Sequence, residues 1–202
     1  MNKTKIEWCD YTWNPVVGCK TGCSYCYAER MNNRFNWIQD WKQPEFFPER
    51  LFDPWGKKKA GKVFVGSMCD LFGGWISSNW IQQILDICHL AIQHEFMFLT
   101  KYPARYFEFH FPDNCWVGAT AEKEDLTGGA RLHNLKTLNT DAKKFISIEP
   151  LLGYFGIIDL SFLDLVIVGA MTGPGAIKPK KEWIESIKHP NIFYKENIKQ
   201  YL

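Results

Sequence analysis

The sequence predicts an α/β fold, a single domain in which about six β/α units form an incomplete (β/α)6-type partial TIM barrel. Short apolar runs recur along the chain, with helical patterns between several of them. Continuous apolar runs are typical of strands that are covered on both faces, which favours a parallel sheet. The 202 residues fall short of the ~250 that are usual for a closed eight-stranded barrel, so the predicted barrel is open along one side.

Five apolar runs are the clearest strand candidates, and each ends in a polar or small residue. They span residues 62–67, 96–101, 115–120, 144–149 and 164–170. A further strand is expected at residues 11–17, where Pro15 makes it irregular because proline lacks a backbone N–H. Residues 192–196 are a candidate last strand.

The clearest helical pattern lies at residues 77–94, where Ser78 or Asn79 can cap the start. Its apolar side chains recur at three- and four-residue spacing and are Ile81, Ile84, Leu85, Cys88 and Ala91. This periodicity makes Cys88 a core residue of the helix and not a ligand. Shorter helices are predicted over residues 27–35, 131–139 and 180–188.

Composition excludes several classes of protein. Hydrophobic residues make up 46% of the chain, which is enough for a buried core and excludes a disordered chain. The net charge of +2 demands no acidic partner. No apolar signal region opens the chain and no stretch approaches ~18 apolar residues, so we expect neither export nor membrane association. Seven cysteines, an odd number, favour the reducing cytoplasm over a disulfide framework.

Three of the cysteines, Cys19, Cys23 and Cys26, follow the spacing C-x3-C-x2-C in a loop that also contains Gly18 and Gly22. Chance is a poor explanation, because buried core thiols seldom share one loop. A zinc site commonly uses two pairs of ligands, and no second close pair of cysteines follows. An iron–sulfur cubane normally has four thiolates, so three would leave one iron open to a substrate. The spacing alone leaves the zinc and the iron–sulfur interpretations open.

The same residues resemble a known signature. The C-x3-C-x2-C motif, with Tyr25 just before the last cysteine and on the loop after the first strand of a β/α barrel, resembles the radical S-adenosylmethionine (SAM) superfamily. The wider frame "KIEWCDYTWNPVVGC", "CSYCYAER", "ISIEPLLG" and "VIVGAMTGPGA" is similar to the phage-associated three-Cys-motif branch of that superfamily. The similarity runs from Lys5 to Ala176.

The resemblance implies a 4Fe-4S cluster held by Cys19, Cys23 and Cys26, with SAM on the fourth iron. An external one-electron donor would reduce the cluster, and SAM would be cleaved to methionine and a 5′-deoxyadenosyl radical that abstracts hydrogen from an unidentified substrate. The protein would supply binding, orientation and exclusion of water. Tyr25 would contact adenine, chiefly through its backbone. The family's glycine-rich motif for the SAM amino group is replaced here by "GSMCDLFGG" at residues 66–74, where Asp70 can substitute.

Other candidate site residues follow from the strand assignments, because active sites of β/α barrels gather at the carboxyl ends of the strands. The cofactor-binding candidates are Ser67, Asp70, Thr120, Glu122, Ser147, Glu149, Gly169 and Met171. Cys69 and Lys101 are the catalytic candidates, the first as a hydrogen-atom donor and the second as a group that binds an anion. Each has a plainer alternative, since strand-end polar groups often cap the backbone and a free cysteine packs well as a small side chain. Residues 169–176 are predicted to form a tight turn near SAM.

Three functions remain open at this point. The first is a radical SAM enzyme acting on a nucleic acid or nucleotide. Residues 35–61 form an irregular insertion whose aromatic residues, with Arg50 and residues 57–59, can stack bases and neutralise phosphate, although packing on the barrel is the more frequent explanation of such residues. The second is a radical SAM enzyme acting on a small metabolite or peptide, and the third is a non-catalytic iron–sulfur or zinc sensor or binding module. The open barrel side is expected to admit a large substrate or a partner chain that closes it.

Overall fold

One eight-stranded sheet forms the centre of the protein in a computed structural model, which describes residues 1–123, 126–156, 158–173 and 175–202. The strands are β1 (Asn2–Lys3), β2 (Tyr11–Trp13), β3 (Val16–Val17), β4 (Glu45–Phe46), β5 (Gly61–Val65), β6 (His94–Thr100), β7 (Cys115–Thr120), β8 (Lys143–Ile148), β9 (Leu165–Val168) and β10 (Ile192–Tyr194). The order in the sheet is β1-β2-β5-β6-β7-β8-β9-β10, and only β1 is antiparallel to its neighbour. β3 and β4 form a separate antiparallel pair. The predicted α/β class is confirmed.

Helices occupy four of the connections between successive parallel strands. The helices are α1 (Tyr27–Phe35), α2 (Asp53–Gly56), α3 (Ser78–Leu90), α4 (Leu126–Thr137), α5 (Lys181–Ser186) and α6 (Glu196–Lys199). Of these, α1 lies between β2 and β5, α3 between β5 and β6, α4 between β7 and β8, and α5 between β9 and β10. Among the residues that the structure describes, no helix is long and apolar enough to cross a membrane.

Strands lie at each of the places where apolar runs predicted them. Residues 11–17 form two strands instead of one, because Pro15 interrupts the ladder and its carbonyl accepts the N–H of Phe47 at 2.8 Å. The edge strand β1 has no apolar signal: its exposed residues pair with β2 through the backbone, Asn2 opposite Thr12.

Two connections depart from strict β/α alternation. Between β6 and β7 the chain forms a 3₁₀ turn, Pro103–Glu108, and then reaches Pro112. Between β8 and β9 the described residues contain no helix, and Pro150 and Gly153 disfavour one there. The alternation is therefore less regular than a (β/α)6 repeat.

The helix boundaries differ from the predicted ones for physical reasons. α3 ends before the predicted residue 94. The Asn114 amide donates to the carbonyls of Cys88 at 3.0 Å and of His94 at 3.1 Å, so carbonyls at and after the end of the helix have a partner other than a further helical turn. α4 begins earlier than residue 131 and includes Gly128 and Gly129, whose low helix propensity hid its first turn.

The central strands carry two apolar layers, because successive side chains of a strand point to opposite faces. One layer packs with α3 and α4 side chains and includes Val63, Val65, Phe96, Phe98, Val117, Ile146 and Val166. The other layer consists of Trp8, Cys9, Phe64, Met97, Trp116, Phe145 and Ile167. Both faces of the sheet are covered, which is what the continuous apolar runs predicted.

The insertion at residues 35–61 is more ordered than predicted, since it contains β4, a 3₁₀ turn and α2. Phe46 stacks on Trp80 of α3 with ring centroids 5.1 Å apart. The carbonyl of Arg50 accepts the indole N–H of Trp13 at 2.8 Å. Phe46 and Arg50 of the insertion therefore lie against α3 and the sheet, which is the packing role that the plainer explanation gives to this segment.

The second half of the insertion lies at the amino end of the sheet. The carbonyls of Pro54 and Lys57 lie 3.1 Å from Nε2 of His94, the first residue of β6. Trp55 and the lysines at residues 57–59 therefore stand at the end of the sheet that is opposite the carboxyl ends of its strands.

Candidate metal and cofactor site

A cavity of about 410 Å³ lies at the carboxyl ends of the parallel strands. This volume falls within the range of roughly 300–1,000 Å³ that is typical of small-ligand pockets. The predicted site residues that line it are Cys19, Cys23, Tyr25, Cys26, Ser67, Cys69, Asp70, Lys101, Thr120, Ser147, Glu149 and Met171. Glu122 and Gly169 are not in its lining, but Glu122 pairs with Lys101 and Gly169 precedes Ala170, and both of these residues line it. The structure thus brings together side chains that are widely separated in the sequence.

The loop that carries the cysteines begins at Gly18, where the backbone turns with a φ of 106°. A Cβ at this position would lie 2.8 Å from Cδ1 of Ile38, so the turn requires glycine. The N–H of Gly18 donates to the carbonyl of Met68 at 3.0 Å, and the N–H of Cys19 donates to that of Trp41 at 2.8 Å. The loop is therefore fixed between the segment after β5 and the insertion.

All three clustered cysteines are free and partly buried, and two of their sulfurs accept backbone hydrogen bonds. Cys26 caps α1, and its Sγ accepts the N–H of Glu29 at 3.4 Å. Sγ of Cys19 accepts the N–H of Thr21, also at 3.4 Å. Hydrogen bonds of this kind favour a thiolate and tune the potential of iron–sulfur clusters.

Burial disfavours the charged form of these sulfurs when no metal is bound. It raises the pKa of the Cys23 thiol, against the opposing charge of Lys101. It also raises the pKa of the Cys26 thiol, against the N–H of Glu29. A thiol must lose its proton to bind a metal, so loading of the site would release protons.

The donor set suits an iron–sulfur cubane with one open iron. Within the described ranges, no group of three or more His, Cys, Asp or Glu side chains is placed to hold a single metal ion. Three free thiols on one loop at the wall of a cavity are donors of the kind that a cubane takes, and they leave a position for a small ligand.

Tyr25 is held by a charged network that joins the cysteine loop to β6 and β7. Its hydroxyl donates to Oε1 of Glu122, and Nζ of Lys101 donates to that hydroxyl at 2.8 Å. Glu122 also pairs with Lys101 and with Nη1 of Arg131, the latter at 3.0 Å. Arg131 in α4 donates further to the carbonyls of Lys101 at 3.1 Å and Thr120 at 3.0 Å. Neither Glu122 nor Lys101 is therefore a free strand-end group.

The network fixes the protonation states of its members. Burial alone would raise the pKa of Glu122. Three neighbours outweigh it: Lys101 through its charge and hydrogen bond, Tyr25 through its hydrogen bond, and Arg131 through its charge. The pKa of Glu122 therefore lies below its ordinary value. Burial and the hydrogen bond to Glu122 raise the pKa of Tyr25 far above its ordinary value. Tyr25 is therefore a neutral donor and Glu122 an anion at neutral pH.

Replacing Glu122 with glutamine is expected to destabilise the fold by about 2 kcal/mol at pH 7, because Lys101 and Arg131 lose their shared carboxylate. The lowered pKa of Glu122 means that its charge stabilises the fold above the unfolded value of ~4.3, and that this contribution is lost as pH falls through the folded value. The gap between wild type and variant should therefore shrink below about pH 4. Urea unfolding of wild type and variant at pH 7 and below about pH 4 measures this difference in the free energy of unfolding.

The matched control is Glu108→Gln, which removes an exposed carboxylate that pairs with Arg105 at 3.3 Å. Because the Glu108 side chain is 53% exposed, its pairing should contribute less than about 1 kcal/mol. Equal effects of the two substitutions, or a gap for Glu122→Gln that grows in acid, would contradict the role assigned to the network.

Asp70 is fully engaged with β6. Its buried carboxylate accepts the hydroxyl of Thr100 and, at 3.0 Å, the backbone N–H of Lys101. Burial raises the pKa of Asp70 against these hydrogen bonds. Its carboxylate therefore fixes the end of β6 beside the cavity, which is the capping role that competed with a direct cofactor contact.

Ser67 is positioned by residues on both sides of it. Nδ2 of Asn14 donates to its hydroxyl at 3.1 Å, and Oδ1 of Asn14 accepts the N–H of Met68 at 3.0 Å. The hydroxyl of Tyr27, the first residue of α1, donates to the carbonyl of Ser67 at 2.6 Å. The segment after β5 is thus tied both to β2 and to the helix that follows the cysteines.

The far wall of the cavity is built by the ends of β7 to β10. Glu149 forms an ion pair with Lys195, the residue after β10. A Cβ on Gly169 would lie 3.0 Å from side-chain atoms of both partners, so the glycine leaves room for this pair. The hydroxyl-bearing residues Thr120 and Ser147 are buried and line the cavity between these charged groups.

Cys69 and the predicted turn complete the rim. Cys69 lines the cavity, and burial raises the pKa of its thiol well above its ordinary value, so it stays protonated. The N–H of Ala176 donates to the carbonyl of Gly173 at 3.2 Å, which closes a turn at the predicted place. Met171 and Thr172 before this turn line the cavity, whereas Pro174 lies outside the described residues.

Sequence reasoning missed several contributors to the site, among them Arg131, Arg30 and Trp41. Arg131 had a usable signal, because it stands four residues before the buried Leu135 and so lies on the inner side of α4. Arg30 and Trp41, which line the cavity, had none, since the path of the insertion sets their position.

The chain belongs to the family described as protein of unknown function (DUF5131), which it matches over residues 3–194. No curated protein matches it, and no solved structure matches it.

Proposed function

We propose that this member of the DUF5131 family is a radical SAM enzyme that holds a 4Fe-4S cluster through Cys19, Cys23 and Cys26 and binds SAM in the adjoining cavity. The observation that carries the proposal is that three free thiols of one loop line a cavity of about 410 Å³ together with hydroxyl, carboxylate and amino groups. A ligand with an ammonium, a carboxylate and ribose hydroxyls needs acceptors and donors of this kind.

The incomplete barrel is part of the same proposal. In a flat sheet, β2 and β10 would stand about 29 Å apart, six spacings of ~4.8 Å. Nevertheless the N–H of Glu196, just after β10, donates to the carboxylate of Glu7, just before β2, at 2.8 Å. The ring of Trp8 lies 4.7 Å from Phe64 in β5 and 6.2 Å from Phe145 in β8. These contacts support a sheet that curls around Trp8 toward closure.

A cluster and SAM in this place would supply the electron and the organic radical, and the chain's residues have the remaining tasks. The side chains of Ile6, Trp8, Phe64 and Leu99 give the cavity an apolar part that excludes water. Thr120 and Ser147 offer hydroxyls to a ribose, and the Glu149–Lys195 pair offers both signs of charge. Tyr25, fixed through its hydroxyl, holds the backbone of the cysteine loop in register with β6 and β7.

The remaining roles follow from the same cavity. Cys69 remains the candidate hydrogen-atom donor, because its protonated thiol lines the cavity. Lys101, which is bound to Glu122 and Tyr25, orients that network and is available to an anionic substrate group only if it leaves them. The proposal includes an external one-electron donor, a cytoplasmic location, and a substrate or partner chain on the open side of the barrel.

Anaerobic reconstitution with iron and sulfide, followed by reduction in the presence of SAM, tests this function. The expected products are methionine and 5′-deoxyadenosine, detected by chromatography and mass spectrometry. A protein that binds stoichiometric zinc and no labile sulfide would contradict the proposal. So would a protein with an intact, reduced cluster and bound SAM that releases no 5′-deoxyadenosine.

A further inference from the structure

One face of α1 is unusually apolar and basic for an exposed surface, and it starts at the rim of the cavity. We define the aromatic–arginine strip as Tyr27, Arg30, Met31, Arg34, Phe35 and Trp37, all of which are exposed. At ~100° per residue, the five helical members fall within about 140° of the helix circumference. Glu29, the acidic residue of the first turn, lies about half a turn away on the other side.

The far end of the strip is a preformed stack. The rings of Phe35 and Trp37 lie 5.5 Å apart at 19°, and the guanidinium of Arg34 lies 5.1 Å above the ring of Phe35. Phe35 is 50% exposed and Trp37 is 46% exposed, so neither ring is buried in the core. Flat rings next to a guanidinium are the surface on which nucleic-acid bases stack.

The turn that presents Trp37 is rigid. The helix ends at Asn36, whose φ is 51°, and its N–H donates to the carbonyl of Asn32 at 2.6 Å. The buried Asn32 side chain accepts the N–H of Ile38 and donates to its carbonyl, both at 3.0 Å. Ordering this platform on binding would therefore cost little conformational entropy.

The charges of the strip favour phosphate. Among the described residues, neither Arg30 nor Arg34 forms an ion pair with a carboxylate. The other basic and aromatic part of the insertion, with Trp55 and the lysines at residues 57–59, stands at the opposite end of the sheet, away from the cavity. Of these two surfaces, the aromatic–arginine strip is the one that reaches the cavity, since its residues Tyr27 and Arg30 also line the cavity.

We propose that the aromatic–arginine strip binds single-stranded nucleic acid, with phosphates on Arg30 and Arg34 and bases on Phe35 and Trp37, so that the next nucleotide enters the cavity. This names a substrate class for the site and rests on the proposed function for the chemistry that follows. Binding itself does not depend on that chemistry, which allows the two to fail separately.

The test is fluorescence anisotropy with a labelled 12-nucleotide single strand of mixed sequence, in DNA and RNA forms, added to the reconstituted 202-residue chain. The triple variant Arg30→Gln/Arg34→Gln/Trp37→Ala is expected to bind at least about tenfold more weakly than wild type. The slope of log K against log salt concentration should become less negative by about 1.4, because two phosphate contacts are removed.

The control is Lys58→Gln/Lys59→Gln/Trp55→Ala, which removes the same number of positive charges and one exposed indole at the other end of the sheet. It should bind within about twofold of wild type, and unfolding curves should show both triple variants folded. The DNA and RNA forms decide which sugar the strip accepts.

Several results would overturn the inference: no binding of either strand at ~100 µM protein in low salt, equal weakening by the control, or equal binding of a duplex. Sedimentation could instead show a dimer that dissociates in the triple variant of the strip but not in the control, with no binding of nucleic acid. That result would assign the strip to contact with a second copy of the chain. If SAM is cleaved but no strand binds, this inference alone fails. If strands bind at the strip but SAM is never cleaved, the proposed function alone fails.

Discussion

Replacing Cys23 with alanine is expected to abolish cluster binding and to reduce 5′-deoxyadenosine formation to that of a protein-free control. Cys23 contributes one of only three clustered thiols, and two remaining thiolates cannot hold a cubane that already lacks a fourth protein ligand. Iron and labile-sulfide analysis and the visible absorption of the cluster measure the first effect, and chromatography measures the second. Cys19→Ala and Cys26→Ala should behave in the same way.

Cys88→Ala is the control, because Cys88 is a fully buried thiol of α3 in the apolar layer between that helix and the sheet and does not line the cavity. It should keep the cluster. Cys69 does line the cavity, so any residual cluster in Cys23→Ala is expected to disappear in Cys23→Ala/Cys69→Ala. A Cys23→Ala protein that keeps a full cluster and still cleaves SAM would show that these cysteines are not the ligands.

Much of the fold was accessible from the sequence, because burial of strands on both faces leaves a continuous apolar run that needs no partner to be recognised. What stayed hidden depends on partners. The strand Asn2–Lys3 exists only through backbone pairing with β2. The helix α4 starts at Leu126 although its first turn contains two glycines, which have a low helix propensity.

For the candidate site, too, the positions of residues were predictable from the sequence but their partners were not. The rule that sites gather at the carboxyl ends of strands nominated Ser67, Lys101 and Thr120, and these residues do line one cavity. The rule could not tell which of the nominated groups are already engaged. The pairing of Glu122 with Lys101 and Arg131 joins β6, β7 and α4, and no local pattern encodes it.

Replacing Gly118 with alanine is expected to destabilise the protein by about 3 kcal/mol, a large effect for one methyl group. A Cβ at Gly118 would lie 2.4 Å from two ring carbons of Phe145. That ring is fully buried between Trp8 and Trp116, with centroids 6.2 Å and 6.5 Å away, so it has nowhere to move. Urea unfolding measures the change, with Gly129→Ala as control, since a Cβ on this exposed glycine of α4 meets nothing within 4 Å.

A double-mutant cycle identifies the cause. Phe145→Ala alone should cost about 4 kcal/mol, because it leaves a cavity next to Trp8 in the apolar layer that contains both residues. In that background the methyl group of Gly118→Ala meets no ring, so its cost should fall to near zero and the coupling energy should be about 3 kcal/mol. Additive costs would mean that the clash is not with Phe145.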